Sequence, residues 1–172
     1  GSKRNTYRDI EIFELGENGK VKCLVPDTDR LNSPKVVEDW LVSKGVKVKA
    51  RLPHEPITED MEDIAFLIQR ELDRAFIHKV NYLVKKTGIK NLCITGGVGL
   101  NAVTNRAILD KTEIENIFVQ PSAGDSGQCL GNAYFGVAEF DSSNIKRKSI
   151  SVYQGKEYSN EEIESALNSQ ID

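Results

Sequence analysis

Apolar residues recur along this chain in two spacings, one typical of strands and the other of helices. Near the start, Asn18 and Gly19 separate two apolar segments, residues 10–15 and 21–25. An Asn-Gly pair readily adopts the positive φ angles of a tight hairpin turn. The sequence therefore predicts a β-hairpin over residues 7–25.

Two helices are predicted after the hairpin. Ser33-Pro34 is typical of a helix N-terminus, and Gly45 is expected to end that first helix. The second helix is predicted to begin after Thr58, with acidic residues in its first turn, and to continue for about seven turns to Gly88. Its apolar face is formed by Ile64, Ile68, Leu72, Phe76, Val80 and Leu83. The basic, proline-containing segment between the helices is predicted as a strand or an extended connection.

The second half of the chain repeats one pattern, a strand followed by a glycine-rich turn and a helix. A buried strand is predicted at 91–95, before the glycines at 96–99, and another at 117–120, before the turn at 124–127. Each turn is followed by a predicted helix, the first to about residue 109 and the second through residue 140. This order predicts an α/β fold in which the two strands pair in parallel.

Composition and charge exclude two classes of partner. Hydrophobic residues make up 39% of the chain and charged residues 28%, as in ordinary globular proteins. A net charge of −3 and a pI near 5.5 argue against nucleic acid. The basic cluster at 146–148 is short and is interpreted as part of a linker. No apolar run approaches the ~18 residues of a membrane helix, so a membrane is not a predicted partner either.

The cysteines indicate the cellular compartment. Cys23, Cys93 and Cys129 are odd in number, widely spaced and each beside apolar residues. This pattern predicts buried free thiols in a reducing cytoplasm rather than a disulfide framework. The first residues do not read as a signal peptide, so the predicted location is cytoplasmic.

The first glycine turn is a candidate ligand site. Gly96 and Gly97 follow a strand directly, and glycine lets the backbone approach a ligand that a β-carbon would exclude. The N-terminus of the following helix adds positive potential, which favours a phosphate or ribose. Tight packing of the strand against the helix is the alternative explanation for both glycines. The turn matches neither the P-loop nor the dinucleotide-binding fingerprint.

Asp125, in the second glycine turn, also has two interpretations. An aspartate just before a helix is most often an N-cap. A carboxylate at the C-terminal ends of parallel strands also lies where α/β folds place ligand chemistry. One of its oxygens could cap the helix while the other holds a hard cation.

Several segments together resemble the nodulation and antibiotic carbamoyltransferases. Residues 92–101, LCITGGVGLN, with Asn105, are similar to the LAGGVALNxxxN stretch of that family. Residues 120–127, QPSAGDSG, are similar to its QPAAGDAG motif at the expected distance downstream. Residues 51–69 resemble its RxPxEPLT and DIAxSxQ segments, and residues 155–163 resemble the segment that leads into its second domain.

The resemblance implies a fold and a domain organisation. Residues 3–140 would form the C-terminal half of an actin/hexokinase-like (RNase H-like) ATPase domain, with a mixed sheet flanked by helices. Residues 141–150 would be a linker, and residues 151–172 the truncated start of a threonylcarbamoyl-adenylate-synthase-like domain. There, Ser159 and the acidic residues after it predict a helix N-terminus. Gly1 and Ser2 are expected to be the remnant of an expression tag.

The resemblance also implies the chemistry. In this family carbamoyl phosphate and ATP give carbamoyl-adenylate, whose carbamoyl group passes to a hydroxyl or amine of a small molecule. A metal, iron in the family's known sites and hence expected as Fe(II), is held by two histidines of an H-x-x-x-H motif and one aspartate. Asp125 matches that aspartate and is the predicted catalytic residue and metal ligand. The predicted nucleotide-binding residues are Gly96, Gly97, Val98, Asn101, Gly124 and Asp125. A homodimer is the candidate assembly.

Departures from the family pattern limit what this chain is expected to do. The sequence contains no H-x-x-x-H, and the family's first phosphate motif is missing. His54 is interpreted as a loop residue and His78 as a residue on a helix surface. Met61 occupies a position that is often histidine in the family. The chain alone is therefore expected to be inactive.

Two alternative functions remain open. A related tRNA threonylcarbamoyl-transferase subunit shares the diglycine, but its aspartate segment typically reads CTDNA rather than GDSG. A non-carbamoyl actin-like nucleotide-binding structural protein is the other alternative. Such a protein would use Mg²⁺ through nucleotide phosphates rather than a histidine–carboxylate site.

Overall fold

The computed structural model describes residues 6–26, 34–49, 51–140 and 155–169. The chain forms two compact units, Gly1–Asp125 and Ser126–Asp172. In the described part of the chain, no helix has both the length and the apolar character needed to cross a bilayer.

The predicted hairpin is confirmed, with shorter strands. Strands β1 (Phe13–Leu15) and β2 (Val21–Cys23) pair antiparallel. Between them Asn18 and Gly19 have φ angles of 56° and 68°, as the Asn-Gly pair predicts. Gly19 lies so close to helix α2 that a β-carbon added to it would be only 2.7 Å from Cδ1 of Tyr82.

Both predicted helices of the first half are confirmed. Helix α1 is Pro34–Ser43 and helix α2 is Glu59–Thr87. Gly45 and Gly88 follow them with positive φ angles, as expected of residues that end helices. Ser33 lies outside the described residues. Thr58 has extended N-cap geometry but makes no side-chain capping hydrogen bond, and no strand forms in the described segment between the helices.

The parallel pairing predicted for the second half is confirmed. Strands β3 (Asn91–Ile94) and β4 (Asn116–Val119) pair in parallel, with Ile94 opposite Val119. Helix α3 (Ala102–Lys111) connects them, after a 3-10 turn at Gly97–Leu100.

The single mixed sheet is not found among the described residues, whose strands form two separate two-stranded sheets. Helix α2, about 44 Å long at 1.5 Å per residue, accounts for this separation because each of its halves supports one core. Its N-terminal half packs Leu67 with Trp40 and Leu41 of α1. Its C-terminal half packs Val80 with Ile94 and Ile108. The α/β class is confirmed, and the actin-like half-domain stays a prediction.

The predicted burial of strand 91–95 and of the cysteines is largely wrong. In β3 only Ile94 is buried, because successive side chains of a strand point to opposite faces and α2 and α3 cover just one of them. Cys93 lies on the other face and is exposed, and on β4 Phe118 is 56% exposed. Cys23 is half-buried and Cys129 is exposed. All three are free thiols, as predicted.

In the second unit, α4 (Gln128–Phe140) and α5 (Asn160–Asn168) confirm the two predicted helices. Ser159 accepts from the Glu162 N–H, and Glu162 in turn accepts from the Ser159 N–H, in a complete capping box. The linker at 141–150, with its basic cluster, lies outside the described residues. The assignment of residues 151–172 to a second domain stays a prediction.

Candidate functional site

The two glycine turns meet at one edge of the parallel strand pair. The Gly96 N–H donates a 2.8 Å hydrogen bond to the Ala123 carbonyl. A β-carbon added to Gly124 would be 3.5 Å from the Cα of Gly97. The carboxyl ends of parallel strands lie at the same edge, so β3 and β4 bring both turns together. The two turns, each predicted separately from its glycines, are therefore adjacent.

The surroundings of the glycines separate the ligand interpretation from the packing interpretation. A β-carbon added to Gly96 or Gly97 would meet no described atom within 4 Å, so packing against the described residues does not require glycine there. Gly96 needs glycine for its φ of 92°. At Gly99, by contrast, a β-carbon would be 3.2 Å from Cγ2 of Ile94. Gly99 is therefore the packing glycine, and the open space lies at Gly97.

The first turn also presents backbone donors. Within the 3-10 turn Gly97–Leu100, the N–H groups of Gly99 and Asn101 bond to the carbonyls of Gly96 and Val98. The N–H groups of Gly97 and Val98 come first and have no acceptor inside the turn. Val98 is exposed. These two N–H groups and the open face at Gly97 suit an anionic or polar ligand.

Asn101 has a structural role that the sequence did not reveal. Its Oδ1 accepts from the Thr104 N–H at 3.0 Å, which caps helix α3. Its Nδ2 donates to Oε1 of Gln69 on α2, also at 3.0 Å. An asparagine amide has two N–H donors and two acceptor lone pairs, so one of each remains for a ligand. Four residues on, Asn105 donates from Nδ2 to the Gly99 carbonyl at 2.8 Å and thereby holds the turn itself.

Sequence reasoning missed the residues behind Asn101. Gln69 and Asp73 lie one helical turn apart on α2, and Thr104 of α3 packs against both and is buried. The available signal was the spacing of Gln69 and Asp73, which places two polar side chains on one face of an amphipathic helix.

Asp125 is exposed and begins the 3-10 turn Asp125–Gly127. Two residues before the neighbouring Gly124, Ser122 has a φ of 58°, a left-handed conformation that is uncommon outside glycine. Such backbone strain is concentrated at functional segments.

The described residues do not form a complete metal site. No three histidine, cysteine, aspartate or glutamate side chains among them are placed to share an ion. His54 lies in a loop, as predicted. His78 lies on helix α2, as predicted, and is half-buried, with its Nε2 2.8 Å from the Gly16 carbonyl. Asp125 remains a predicted ligand.

A buried cluster of charged residues lies apart from the glycine turns. Glu71 of α2 is 1% exposed and is paired with Arg74 at 2.9 Å and Arg70 at 3.2 Å. Burial by itself raises the pKa of the Glu71 carboxyl, but hydrogen bonds from Arg74 and from the N–H groups of Ile12 and Phe13 outweigh it, so its pKa lies below 4.5. This cluster fastens the hairpin to α2. The sequence did carry a signal for this cluster, which was missed. Glu71 lies among the apolar residues of a predicted helix, with Arg70 and Arg74 close to it.

Comparison with known proteins gives a consistent result. The family model described as Carbamoyltransferase N-terminus matches residues 21–134. Nodulation protein NolO of Bradyrhizobium diazoefficiens is 31% identical over 91% of this chain and 27% of its own length. Nodulation protein NolNO of Sinorhizobium fredii is 31% identical over 87% of this chain and 20% of its own. An uncharacterized protein of Synechocystis is 35% identical over 68% of this chain and 20% of its own length. The chain thus spans a fifth to about a quarter of the length of these relatives.

Proposed function

This chain belongs to the family described as Carbamoyltransferase N-terminus, and on that premise we propose that it forms part of an enzyme that transfers a carbamoyl group to a small molecule. The proposed donor is carbamoyl-adenylate, made from carbamoyl phosphate and ATP. In the transfer step the acceptor's hydroxyl oxygen or amine nitrogen bonds to the carbamoyl carbon. The bond from that carbon to the phosphate oxygen breaks, AMP leaves with the electron pair, and the acceptor loses its proton. The proposed compartment is the cytoplasm, in keeping with three free cysteines.

The observation that carries this proposal is the contact between the two glycine turns around an open backbone surface. Gly96 and Gly97 let the adenylate approach the backbone, and the N–H groups of Gly97 and Val98 are proposed to bind its polar atoms. Gly124 lies next to Gly97, with room for no more than an ordinary 3.5 Å contact between an added β-carbon and the Gly97 Cα. Asn101 supplies a side-chain contact at the start of α3.

Asp125 is the metal ligand that we propose in this chain. A carboxylate suits Fe(II) when imidazoles complete the coordination shell, and the metal would act as a Lewis acid toward phosphate or carbamoyl oxygens. The described residues supply no complete donor set. The roles proposed for the glycine turns therefore do not depend on the metal.

Titration of the ¹⁵N-labelled chain with AMP, the leaving group, tests the nucleotide site. We expect the largest amide shifts at residues 96–98 and 123–125. Gly97→Val should abolish them, because it fills the open face, where a β-carbon clashes with no described atom. Gly136→Val is the matched control, since it adds the same side chain to an equally unobstructed glycine of α4. Shifts that lie elsewhere, or that Gly97→Val leaves intact, would refute the site.

A further inference from the structure

Four side chains behind the first glycine turn form a continuous hydrogen-bond circuit between helices α2 and α3. Asn101 Nδ2 donates to Gln69 Oε1 at 3.0 Å. Gln69 Nε2 donates to Asp73 Oδ1 at 2.7 Å and to Thr104 Oγ1 at 2.9 Å. The Thr104 hydroxyl donates to Asp73 Oδ1 at 2.7 Å. The circuit closes where the Thr104 N–H donates to Asn101 Oδ1 at 3.0 Å.

Two groups in this circuit, the Thr104 N–H and the Asp73 carboxylate, cannot exchange the roles of donor and acceptor. The backbone N–H of Thr104 is a donor only, and Oδ1 of the Asp73 carboxylate accepts both of the bonds that reach it. The two amides between them, of Asn101 and Gln69, could each rotate by 180° and exchange oxygen for nitrogen. With both ends fixed, only one orientation of each amide satisfies every bond. Both ends impose the same orientation: the Thr104 N–H holds Oδ1 of Asn101, and Asp73 holds Nε2 of Gln69, which turns Oε1 toward Asn101.

We propose that Asp73 and Gln69 are positioning residues that fix the orientation of the Asn101 amide for a nucleotide. This inference rests on the proposed function, because it takes the Gly96–Asn101 turn as the nucleotide site. In the fixed orientation one Nδ2 hydrogen of Asn101 is bound to Gln69 and the second remains available. The ligand atom that this hydrogen meets is then an acceptor, such as a ribose or phosphate oxygen of the adenylate.

Loss of the obligate acceptor should weaken this orientation, because only one of its two fixed ends then remains. In Asp73→Asn the shape is kept, but the new amide can present a donor to Gln69. Gln69 then loses its obligate acceptor, and only the Thr104 N–H still holds the amides of Asn101 and Gln69 in this orientation. Thr104→Val removes the hydroxyl bridge, yet the direct 2.7 Å bond between Gln69 and Asp73 remains. The effect on Asn101 should therefore be larger for Asp73→Asn than for Thr104→Val.

The test uses the 172-residue chain and two measurements. The first is the NMR signal of the Asn101 side-chain NH₂, whose hydrogen bonding shows as slowed solvent exchange and a dispersed shift. The second is the Kd for AMP from amide shifts. We expect Asp73→Asn to speed the exchange of that NH₂ and to weaken AMP binding about tenfold, as the loss of one directed hydrogen bond would. Thr104→Val should weaken AMP binding less.

Two controls separate positioning from general destabilisation. Asp110→Asn on α3 removes the same charge from an exposed pair with Arg106. Ile108→Val removes a methyl group from a fully buried side chain of α3 and lowers stability without touching the circuit. Neither should alter the Asn101 NH₂ or the Kd.

The outcomes distinguish the two proposals. If Ile108→Val changes the Asn101 NH₂ as much as Asp73→Asn does, or if Asp73→Asn changes neither measurement, the positioning role is overturned. If Asp73→Asn fails to fold, the same criteria apply to Gln69→Met, which removes the amide that bonds both Asn101 and Asp73. If wild-type chain gives no AMP shifts at residues 96–98, the nucleotide site is refuted. The NH₂ measurement would then still show whether Asp73 orients Asn101.

Discussion

The backbone N–H of Gly96 donates directly to the carbonyl of Ala123 at 2.8 Å, so the two glycine turns are fastened to each other. Gly96 and Ala123 are 27 positions apart in the sequence, and each lies shortly after the end of one of the two parallel strands. Within the first turn, Gly96 has a positive φ angle and Gly97 does not, so substitutions at these neighbouring glycines should have different effects.

Gly96→Ala and Gly97→Ala should separate folding from binding. Gly96 has a φ of 92°, so alanine there should cost on the order of 1–3 kcal/mol of stability. Gly97 has open space for a β-carbon, so alanine should change stability by less than about 0.5 kcal/mol. It should still weaken AMP binding about fivefold or more, by obstructing the approach to the backbone. Urea unfolding and AMP titration of both variants measure this. Equal effects of the two variants on both quantities would contradict it.

Asp125→Asn should distinguish a helix cap from a metal ligand in the full-length protein. Asparagine caps a helix about as well as aspartate, so stability of the metal-free protein should change by less than about 1 kcal/mol. Asparagine lacks the anionic charge that holds a divalent cation, so metal content and carbamoyl transfer should fall by orders of magnitude. Elemental analysis and transfer kinetics on one preparation measure both. A fully metallated, active variant would reduce Asp125 to a cap.

Glu71 should make the stability of the hairpin and α2 sensitive to acid. Its pKa is below 4.5 in the folded chain. Its stabilising contribution is therefore complete above the ordinary pKa and is lost as the pH falls through that value toward the lower folded pKa. Glu71→Gln should cost about 1–3 kcal/mol at pH 7 and less below pH 4, which flattens the acid limb of the stability curve. Urea unfolding from pH 7 to 3 measures this. Glu14→Gln, at an exposed position of β1, should leave the curve unchanged.

Gly19→Ala should loosen the hairpin from α2. The substitution combines a φ of 68° with a β-carbon 2.7 Å from Tyr82 Cδ1, and should cost about 2 kcal/mol or more. Gly16→Ala is the matched control, because its β-carbon would make an ordinary 3.5 Å contact with Lys20. Thermal unfolding compares the two. Equal stabilities would show that the turn does not rest on Tyr82.

The chain by itself should not transfer carbamoyl groups or turn over ATP. No complete metal-ligand set lies among the described residues, and the chain spans a fifth to about a quarter of the relatives' length. AMP binding without turnover is the expected result. Turnover by the purified chain at the rate of a full-length relative would show that the site lies elsewhere.

Local features of the sequence determined most of the secondary structure. The turn at Asn18 and Gly19, the stop at Gly88 and the capping box at Ser159 each involve residues within a few positions of one another. Such features depend on backbone preferences and short-range hydrogen bonds, which a sequence displays directly. The parallel pairing of β3 and β4 was also predictable, because the helix between them requires a crossover connection.

Only the tertiary structure decided what surrounds the candidate site. Asn101 meets Gln69, and Thr104 meets Asp73, across separations of 32 and 31 residues. The family resemblance predicts Asn101 as a nucleotide-binding residue, but the sequence did not show that Asn101 caps α3 and bonds to α2. The sequence also did not indicate that the helices cover only one face of β3, so that Cys93 on the other face is exposed. Contacts of this kind depend on how whole helices and strands pack, and hydrophobic periodicity specifies the face an element buries without specifying the residues it meets there.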